Sequence, residues 1–283
     1  MAVDSRIQVD HRPGVVPVDA DVEAPTIAIV PFPARPATIT VVIPTLNEER
    51  NIKWVLDRIP PIVDEVLLVD GRSTDLTVGI AQAVRPDIVV VHEDRPGKGV
   101  ALRTAFAVAT GDIIVMLDAD CSMDPQDIEH YVDAIMDGAD LVKGSRNLPG
   151  GGSTDISRLR QLGNSSLLRI TNLLYRTSFS ELCYGYMAFR RDRLPDLALK
   201  STGFEIETEI VTRSIRAGLR IDEVPSFESE RRYGTSHLNT FRDGWRVLKT
   251  LLRERFVANV KAGARQDVGA PLSIQEPKRP QES

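Results

Sequence analysis

The sequence predicts an α/β fold in which a mostly parallel sheet carries helices on both faces. Two observations support this prediction. Short β-branched and aliphatic runs alternate with segments whose apolar residues recur at helical spacing. The runs are also unbroken, as expected for parallel strands that helices cover on both sides. Residues 38–262 show this pattern and are enough for one domain with a substantial core.

The first half of this region contains four successive pairs of a strand and a helix. The strands are runs such as TITVVIP and EVLLVD, and the helices place apolar residues three and four positions apart. Asp124 stands before Pro125, so we expect it to cap the fourth helix. The predicted strands are 38–44, 65–70, 87–93 and 111–118; the predicted helices are 49–59 and those beginning near Asp75, Lys98 and Asp124.

The second half is less regular. The run ADLVKGSR at 139–146 precedes a glycine-rich loop and three helical patterns, at 156–179, from about 203 and at 239–258. The flanking segments, 1–37 and 263–283, contain prolines and no sustained apolar period. We therefore expect a disordered leader and a disordered tail around a single domain.

The composition excludes several functional classes. A net charge of -5 argues against a general nucleic-acid binder, because affinity for a phosphate backbone needs a basic surface. The apolar runs are far shorter than the roughly 20 residues of a transmembrane helix, and no secretory signal is visible. Cys121 and Cys183 are too few for a disulfide framework. The sequence therefore predicts a cytoplasmic protein.

Polar residues follow four of the predicted strands, at 44–49, 69–75, 93–99 and 117–122. Because ligands of open α/β sheets bind beyond the carboxyl ends of the strands, we expect one crevice there. Asp118 and Asp120 point to the same side of an extended segment. Paired carboxylates suit Mg²⁺ or Mn²⁺, which would complete its shell with water and a diphosphate. The alternative is a solvated acidic turn.

Two further residues at this edge have two interpretations each. Asp70, in VDGRSTD, would accept hydrogen bonds from a nucleobase or ribose, or would stabilise its own turn. Lys98, in RPGKG, would bind an anion near a helix start, or would belong to a plain loop.

The order of several motifs resembles that of family 2 glycosyltransferases with the GT-A fold. VVIPTLNEE, VDGRSTD, PGKGVALRTAF, GDIIVMLDADCSMDP and LVKGSR follow one another as in that family. CYGYMAFRRD and RRYGTSHL are similar to stretches of dolichol-phosphate mannosyltransferase and related polyprenyl-phosphate sugar transferases. The resemblance covers about 38 to 255.

The resemblance implies a role for each residue at the predicted edge. Asp118 would lie beside the ribose or the metal ion, and Asp120 would bind the metal ion directly. Several relatives have a glutamine ligand where this chain has Ser122, which leaves the third protein ligand open. The residues implied in binding the nucleotide sugar are Pro44, Asn47, Glu48, Asp70, Lys98 and Asp118.

The resemblance also implies how the acceptor binds. Arg146 and Arg232 match arginines that meet the acceptor phosphate, and guanidinium groups bind phosphate bidentately. His237 replaces a lysine of the family motif, which weakens that positive site at neutral pH. An alcohol acceptor needs a carboxylate base, whereas a phosphate acceptor does not. The candidate bases are Glu205, Glu207 and Glu209, and the alternative for them is favourable charge at a helix start.

The helical stretch 239–258 combines an apolar stripe with basic residues. The stripe consists of Phe241, Trp245, Leu248, Leu252 and Phe256. Two interpretations stay open: the stripe packs on the core of the domain, or the helix lies on anionic lipid at the inner face of a membrane.

The sequence therefore predicts an inverting, metal-dependent glycosyltransferase that moves a sugar from a nucleotide-diphosphate sugar to polyprenyl phosphate. Three alternatives are weighed against this prediction. They are the same chemistry on a soluble small-molecule or glycan acceptor, a sugar-phosphate nucleotidyltransferase, and a nucleotide-binding module without catalysis.

Overall fold

The computed structural model describes residues 37–234, 239–256 and the short strand at 274–275. Most of the predicted leader, residues 1–36, lies outside the described residues, as do the predicted tail apart from that strand, and His237. The predicted disorder of the leader and the tail therefore stays a prediction.

An eight-stranded sheet forms the centre of the fold, in the order β10-β3-β2-β1-β4-β7-β5-β8. Six of these strands run in the same direction, and β7 and β10 run against their neighbours. Two short strands, β6 and β9, pair separately. The strands are β1 Ile39–Thr45, β2 Glu65–Asp70, β3 Val89–His92, β4 Ile113–Met116, β5 Leu141–Ser145, β6 Gly152–Ser153, β7 Met187–Arg190, β8 Ile221–Pro225, β9 Phe227–Glu228 and β10 Ile274–Gln275.

Helices connect most of the strands. Two short 3₁₀ segments, Pro125–Asp127 and Arg191–Arg193, precede α4 and α6. The α-helices are α1 Ile52–Asp57, α2 Thr77–Val84, α3 Lys98–Val108, α4 Ile128–Met136, α5 Arg158–Tyr175, α6 Leu194–Leu197, α7 Ile206–Ala217 and α8 Thr240–Phe256.

The core lies on both faces of the sheet. Successive side chains of a strand point to opposite faces, so Val41 and Val42 on β1 belong to different apolar clusters. Residues of α1, α2 and α4 contribute to one cluster, and residues of α3, α6, α7 and α8 contribute to the other. The predicted arrangement of helices on both faces is therefore confirmed.

The antiparallel strand β7 is the main feature that the apolar pattern does not predict. It lies between β4 and β5, and Met116 at the end of β4 pairs with Met187 at the start of β7. The chain just before β7 therefore lies at the same edge of the sheet as the carboxyl end of β4. This brings residues 181–186 to the edge where the acidic stretch 117–122 begins.

Candidate active site

The loops that follow β1 and β2 are joined by hydrogen bonds. The amide of Asn47 donates to Ser73 Oγ at 2.9 Å, and its side-chain oxygen accepts from the amide of Thr74 at 2.8 Å. The amide of Glu48 donates to Thr77 Oγ1 at 2.8 Å. Asn47 has a left-handed backbone with a φ of 58°, which asparagine tolerates better than most residues. The two loops therefore form one fixed rim of the crevice.

Asp70 stabilises its own turn in this structure. It is buried at the end of β2, and its carboxylate accepts a hydrogen bond from the amide of Ser73 at 3.1 Å. His92 Nδ1 lies 3.6 Å from the same carboxylate. Pro44 is part of β1 and pairs with Val69 of β2. These contacts favour the turn interpretation of Asp70, and its role in nucleotide binding stays a prediction.

Lys98 connects two carboxylates from distant parts of the chain. Its ammonium group lies 2.6 Å from Asp118 Oδ1 and 2.8 Å from Glu207 Oε1. Burial acts to lower the pKa of Lys98, but these two carboxylates outweigh it and hold the pKa above its usual value. Lys98 therefore stays protonated. Lys98 is thus part of a charged network at the start of α3, and its role in binding the nucleotide sugar stays a prediction.

Two glycines permit this contact. Gly97, just before α3, has a φ of 119°, and a side chain there would overlap the carbonyl oxygen of Thr202. A Cβ atom on Gly185 would lie 2.8 Å from the carboxylate of Glu207 and 3.1 Å from the Lys98 ammonium. Gly97 therefore needs to be glycine, whereas a side chain at Gly185 would displace the flexible ends of Glu207 and Lys98.

Asp120 is the most deeply buried carboxylate of the acidic stretch, with 3% of its surface exposed. Its Oδ1 accepts from the amide of Ser122 at 3.0 Å and from the Ser122 hydroxyl at 2.7 Å. Its Oδ2 lies 2.8 Å from Arg231 Nη2. Burial raises the pKa of Asp120, and the nearby charge of Asp118 raises it further. Each carboxylate of the pair has one cationic partner among the described residues, Lys98 for Asp118 and Arg231 for Asp120.

A crevice of about 230 Å³ includes Arg231, the partner of Asp120, in its lining, although neither Asp118 nor Asp120 lines it. Its lining includes the loop after β1 and the segment around Arg231. Burial raises the pKa of Glu48 in this lining, and the charges of Asp120 and Asp118 contribute. The crevice residues are Leu46, Asn47, Glu48, Glu49, Arg50, Asn51, Asp75, Arg231, Tyr233 and Gly234.

The donor atoms of this edge suit a hard divalent cation. No group of three or more His, Cys, Asp or Glu side chains that could hold a metal ion occurs within residues 37–234 and 239–256. A cation at Asp118 and Asp120 would therefore have two protein carboxylates and would need water and phosphate oxygens for its other positions. Mg²⁺ commonly binds in this way. The carboxylate pair fits such an ion.

The three candidate glutamates have different surroundings. Glu207 accepts from Lys98 at 2.8 Å, and Lys98 also contacts Asp118. Glu205 accepts from the amide of Gly203 at 3.1 Å, and its second oxygen is buried without a partner. Glu209 is fully buried, accepts from the amides of Lys200 and Ser201, and pairs with Arg213. These contacts correct the expectation for Glu209, which holds α7 in place rather than facing a substrate.

The expectation for Arg146 also needs correction. Its three guanidinium nitrogens contact Glu181 at 2.9 Å, Glu228 at 2.9 Å and the carbonyl of Cys183 at 3.0 Å. The side chain is 7% exposed. The guanidinium is therefore committed to contacts within the protein, because two buried carboxylates need its charge.

Arg231, rather than Arg232, lies against the carboxylate pair. The guanidinium of Arg232 stacks on the ring of Trp54 at 4.6 Å and is exposed. Arg232 is not engaged by an ion pair with any residue that the structure describes, and its role in binding the acceptor phosphate stays a prediction. The two arginines are adjacent in RRYGTSHL, and the sequence alone does not tell which of them faces Asp120.

The helix α8 exposes most of the stripe that was expected either to pack on the core or to face lipid. Phe241, Trp245 and Phe256 are 78%, 65% and 77% exposed. The face that packs on the core instead contains Val247 and Leu251. The first interpretation of the stripe is therefore wrong.

Comparison with known proteins identifies the family. Residues 40–197, more than half of the chain, match the family described as Glycosyl transferase family 2. The chain belongs to glycosyl transferase family 2. The predicted family is confirmed, and the nucleotidyltransferase interpretation is abandoned.

The relatives are sugar transferases. The chain is 34% identical over 227 residues to a low-salt glycan biosynthesis hexosyltransferase of Haloferax volcanii, over 76% of this chain but 53% of that protein. It is 31% identical over 223 residues to the polyprenol monophosphomannose synthase of Mycolicibacterium smegmatis, over 74% and 84% of the two chains. The chain thus spans about half the length of the first of these relatives.

Solved structures confirm the fold. Glucosyl-3-phosphoglycerate synthase from Mycobacterium tuberculosis, crystallised with Mn²⁺, uridine diphosphate and glucosyl-3-phosphoglycerate, has a TM-score of 0.64 and 27% identity. The similarity covers 85% of this chain and 87% of that one. The predicted α/β fold of the GT-A type is confirmed.

Proposed function

We propose that this protein transfers a hexose from a nucleotide-diphosphate sugar to a polyprenyl phosphate, with Mg²⁺ or Mn²⁺ held by Asp118 and Asp120. The observation that carries the proposal is the crowded carboxylate pair beside the crevice at the carboxyl edge of the sheet. A relative named as a polyprenol monophosphomannose synthase and a solved neighbour with Mn²⁺ and uridine diphosphate support it.

The residues at this edge have distinct roles in the proposed reaction. Asp118 and Asp120 bind the cation, which supplies positive charge to the departing diphosphate. Lys98, which stays protonated, adds positive charge at Asp118. The loop around Asn47 and Glu48 supplies a fixed wall for the nucleotide.

A phosphate acceptor does not need a carboxylate base, because it is itself negatively charged. A phosphate monoester has a second pKa of about 6, so its oxygen is already charged at neutral pH. It can attack the sugar from the face opposite the diphosphate. Glu207, held by Lys98, is the carboxylate placed to remove a proton if the acceptor is an alcohol.

An exposed surface on α5 and α8 is consistent with a lipid acceptor. The two helices are joined by hydrogen bonds from Tyr175 Oη to the carbonyl of Leu251 at 2.8 Å and from Arg255 Nε to that of Leu174 at 3.0 Å. Exposed apolar side chains occur on both. They are Leu159, Leu162 and Leu173 on α5, and Phe241, Trp245, Leu252 and Phe256 on α8.

The charge of these helices favours an anionic membrane surface. α5 contains three arginines and no acidic residue. On α8 the two acidic residues, Asp243 and Glu254, are buried, so its exposed charges are cationic. Exposed apolar side chains among basic ones are typical of helices that lie on anionic lipid. No helix in the described ranges is long and apolar enough to span a bilayer. We therefore propose peripheral contact at the inner face of the membrane.

A second candidate function is transfer to a soluble phosphorylated acceptor. The solved neighbour that supports the donor site was crystallised with glucosyl-3-phosphoglycerate, the product of such a transfer. Its similarity covers most of both chains, which favours this candidate as the principal alternative.

A transfer assay separates the two acceptors. The full chain is incubated with Mn²⁺, a panel of nucleotide sugars labelled in the hexose, and either a polyprenyl phosphate in detergent or 3-phosphoglycerate. Label that enters the organic phase only with polyprenyl phosphate supports the proposal. Label that enters only the phosphoglycerate product replaces it with the second candidate.

Vesicle sedimentation tests the membrane contact. The full chain should sediment with phosphatidylglycerol vesicles more than with phosphatidylcholine vesicles. The paired change Phe241→Ser and Trp245→Ser should abolish this preference, and the control Tyr233→Ser should retain it. Equal sedimentation of the chain and its double variant would contradict the contact.

A further inference from the structure

Arg231 pairs with Asp120 through one nitrogen and leaves another without a partner among the described residues. Arg231 Nη2 lies 2.8 Å from Asp120 Oδ2. Arg231 Nε is buried but has no hydrogen-bond partner. A buried guanidinium N–H without an acceptor is costly and indicates a missing partner. The group is therefore only partly satisfied in this arrangement.

The backbone on either side of Arg231 is fixed. The amide of Ser229 donates to the carbonyl of Ser122 at 2.9 Å, and Asn51 Nδ2 donates to the carbonyl of Tyr233 at 3.2 Å. Arg50 also stacks on the ring of Tyr233 at 3.9 Å. A change of partner for Arg231 therefore needs only a movement of its side chain, which is 26% exposed.

We infer that Arg231 substitutes for the divalent cation at Asp120 and exchanges partners when the cation binds. The guanidinium and the ion compete for the same carboxylate oxygen, so each excludes the other. Once displaced, Arg231 can donate from Nε and Nη2 to a phosphoryl oxygen in the crevice that it lines. Arg231 is thus a positioning residue that couples cation binding to phosphate binding.

This inference rests on the proposed function, because it requires a cation at Asp120. Beyond the proposed function, it predicts how Arg231 changes the affinity for the metal ion. A nearby arginine that does not share the carboxylate would lower cation affinity through its charge alone, whereas a competing arginine also occupies the oxygen that the cation needs. Removing the side chain is therefore expected to increase the affinity for the metal ion alone.

Mn²⁺ binding to the full chain tests this directly, with unbound Mn²⁺ counted by electron paramagnetic resonance. Arg231→Gln should bind Mn²⁺ about tenfold more tightly than the native chain, as typical coupling energies allow. Arg231→Lys, which keeps the charge, should stay near the native value. Arg232→Gln is the matched control, because it removes a neighbouring charge that stacks on Trp54, and should not change the affinity.

The outcomes separate this inference from the proposed function. Unchanged or weaker binding in Arg231→Gln would overturn the inference, as would an equal increase in Arg232→Gln, which would indicate a general charge effect. Unchanged Mn²⁺ binding in Asp120→Asn would instead remove the proposed metal site.

A second set of titrations identifies the source of the phosphoryl oxygen. Uridine diphosphate and farnesyl phosphate are each titrated with and without Mn²⁺. One of the two probes carries the phosphoryl group that Arg231 contacts. Mn²⁺ should increase the affinity of the native chain for that probe, and the increase should be smaller in Arg231→Gln. An equal increase in both proteins for both probes would overturn the phosphate contact.

Discussion

Arg146 and Arg231 lie at the same edge of the sheet and each faces buried carboxylate, yet their surroundings differ. All three guanidinium nitrogens of Arg146 have partners, from Glu181, Glu228 and a backbone carbonyl. Arg231 makes one ion pair, and its Nε has no partner. A complete network stabilises the fold, whereas an incomplete one leaves donors for a ligand.

The same difference separates the acidic residues of this edge. Asp124 caps the segment before α4 and pairs with Arg58. Glu93 is held by Arg95 and Thr104. Asp118 and Asp120 instead lie close to each other beside an open crevice. Sequence position alone does not separate these acids; their partners do.

Arg146→Met should cause the largest loss of stability. The change leaves Glu181 and Glu228 buried without their shared cation, and loss of one partner of a buried ion pair costs about 3–5 kcal/mol. Urea unfolding followed by circular dichroism measures the free energy of unfolding. Arg231→Met is the comparison and should lose less, because Arg231 makes one ion pair among the described residues and Asp120 keeps its hydrogen bonds from Ser122. Equal losses of unfolding free energy in the two variants would contradict the difference between the complete network of Arg146 and the incomplete one of Arg231.

Asp124→Ala should have a smaller effect on stability and little effect on transfer. The change removes a helix cap and the ion pair with Arg58, and loss of a cap costs about 0.5–2 kcal/mol. Thermal unfolding and the transfer assay, run side by side, check both parts. Loss of transfer in a folded Asp124→Ala would place this acid in the functional site.

Glu93→Gln should have the smallest effect, and this effect should depend on pH. Hydrogen bonds from Arg95 lower the pKa of Glu93 from 4.5 to about 2. Its stabilisation is therefore complete above pH 4.5 and is lost as the pH falls towards 2. Because Arg95 is largely exposed, we expect about 1 kcal/mol. Unfolding of the native chain and the variant at pH 7 and pH 3 should show the difference shrink. A constant difference would contradict the ion pair.

Much of the fold is predictable from the sequence because the apolar pattern is local. The strands β1 to β4 and the cap at Asp124 follow from runs of apolar residues and from helix-start chemistry. The insertion of β7 between β4 and β5 does not, because MAFR carries no signal for its neighbours or direction. Strand order depends on contacts distant in sequence.

The sequence predicted which residue types lie at the site better than it predicted which residues they contact. Asp118, Asp120 and Lys98 are brought together as expected. The pairing of Arg146 with Glu181 and Glu228 joins residues far apart in the chain. The burial of Glu209 depends on how α7 packs. Such contacts decide whether a charged residue is available to a ligand, and a motif alone does not report them.

Hexose transfer by Asp120→Asn, measured beside Asp124→Asn, tests the central claim most directly. Both changes remove one charge from the same acidic stretch, but only Asp120 lies in the incomplete network. With Mn²⁺, a nucleotide sugar and polyprenyl phosphate, we expect Asp120→Asn to lose transfer by about 10²-fold or more and Asp124→Asn to stay near the native rate. Near-native transfer by a folded Asp120→Asn would contradict the account.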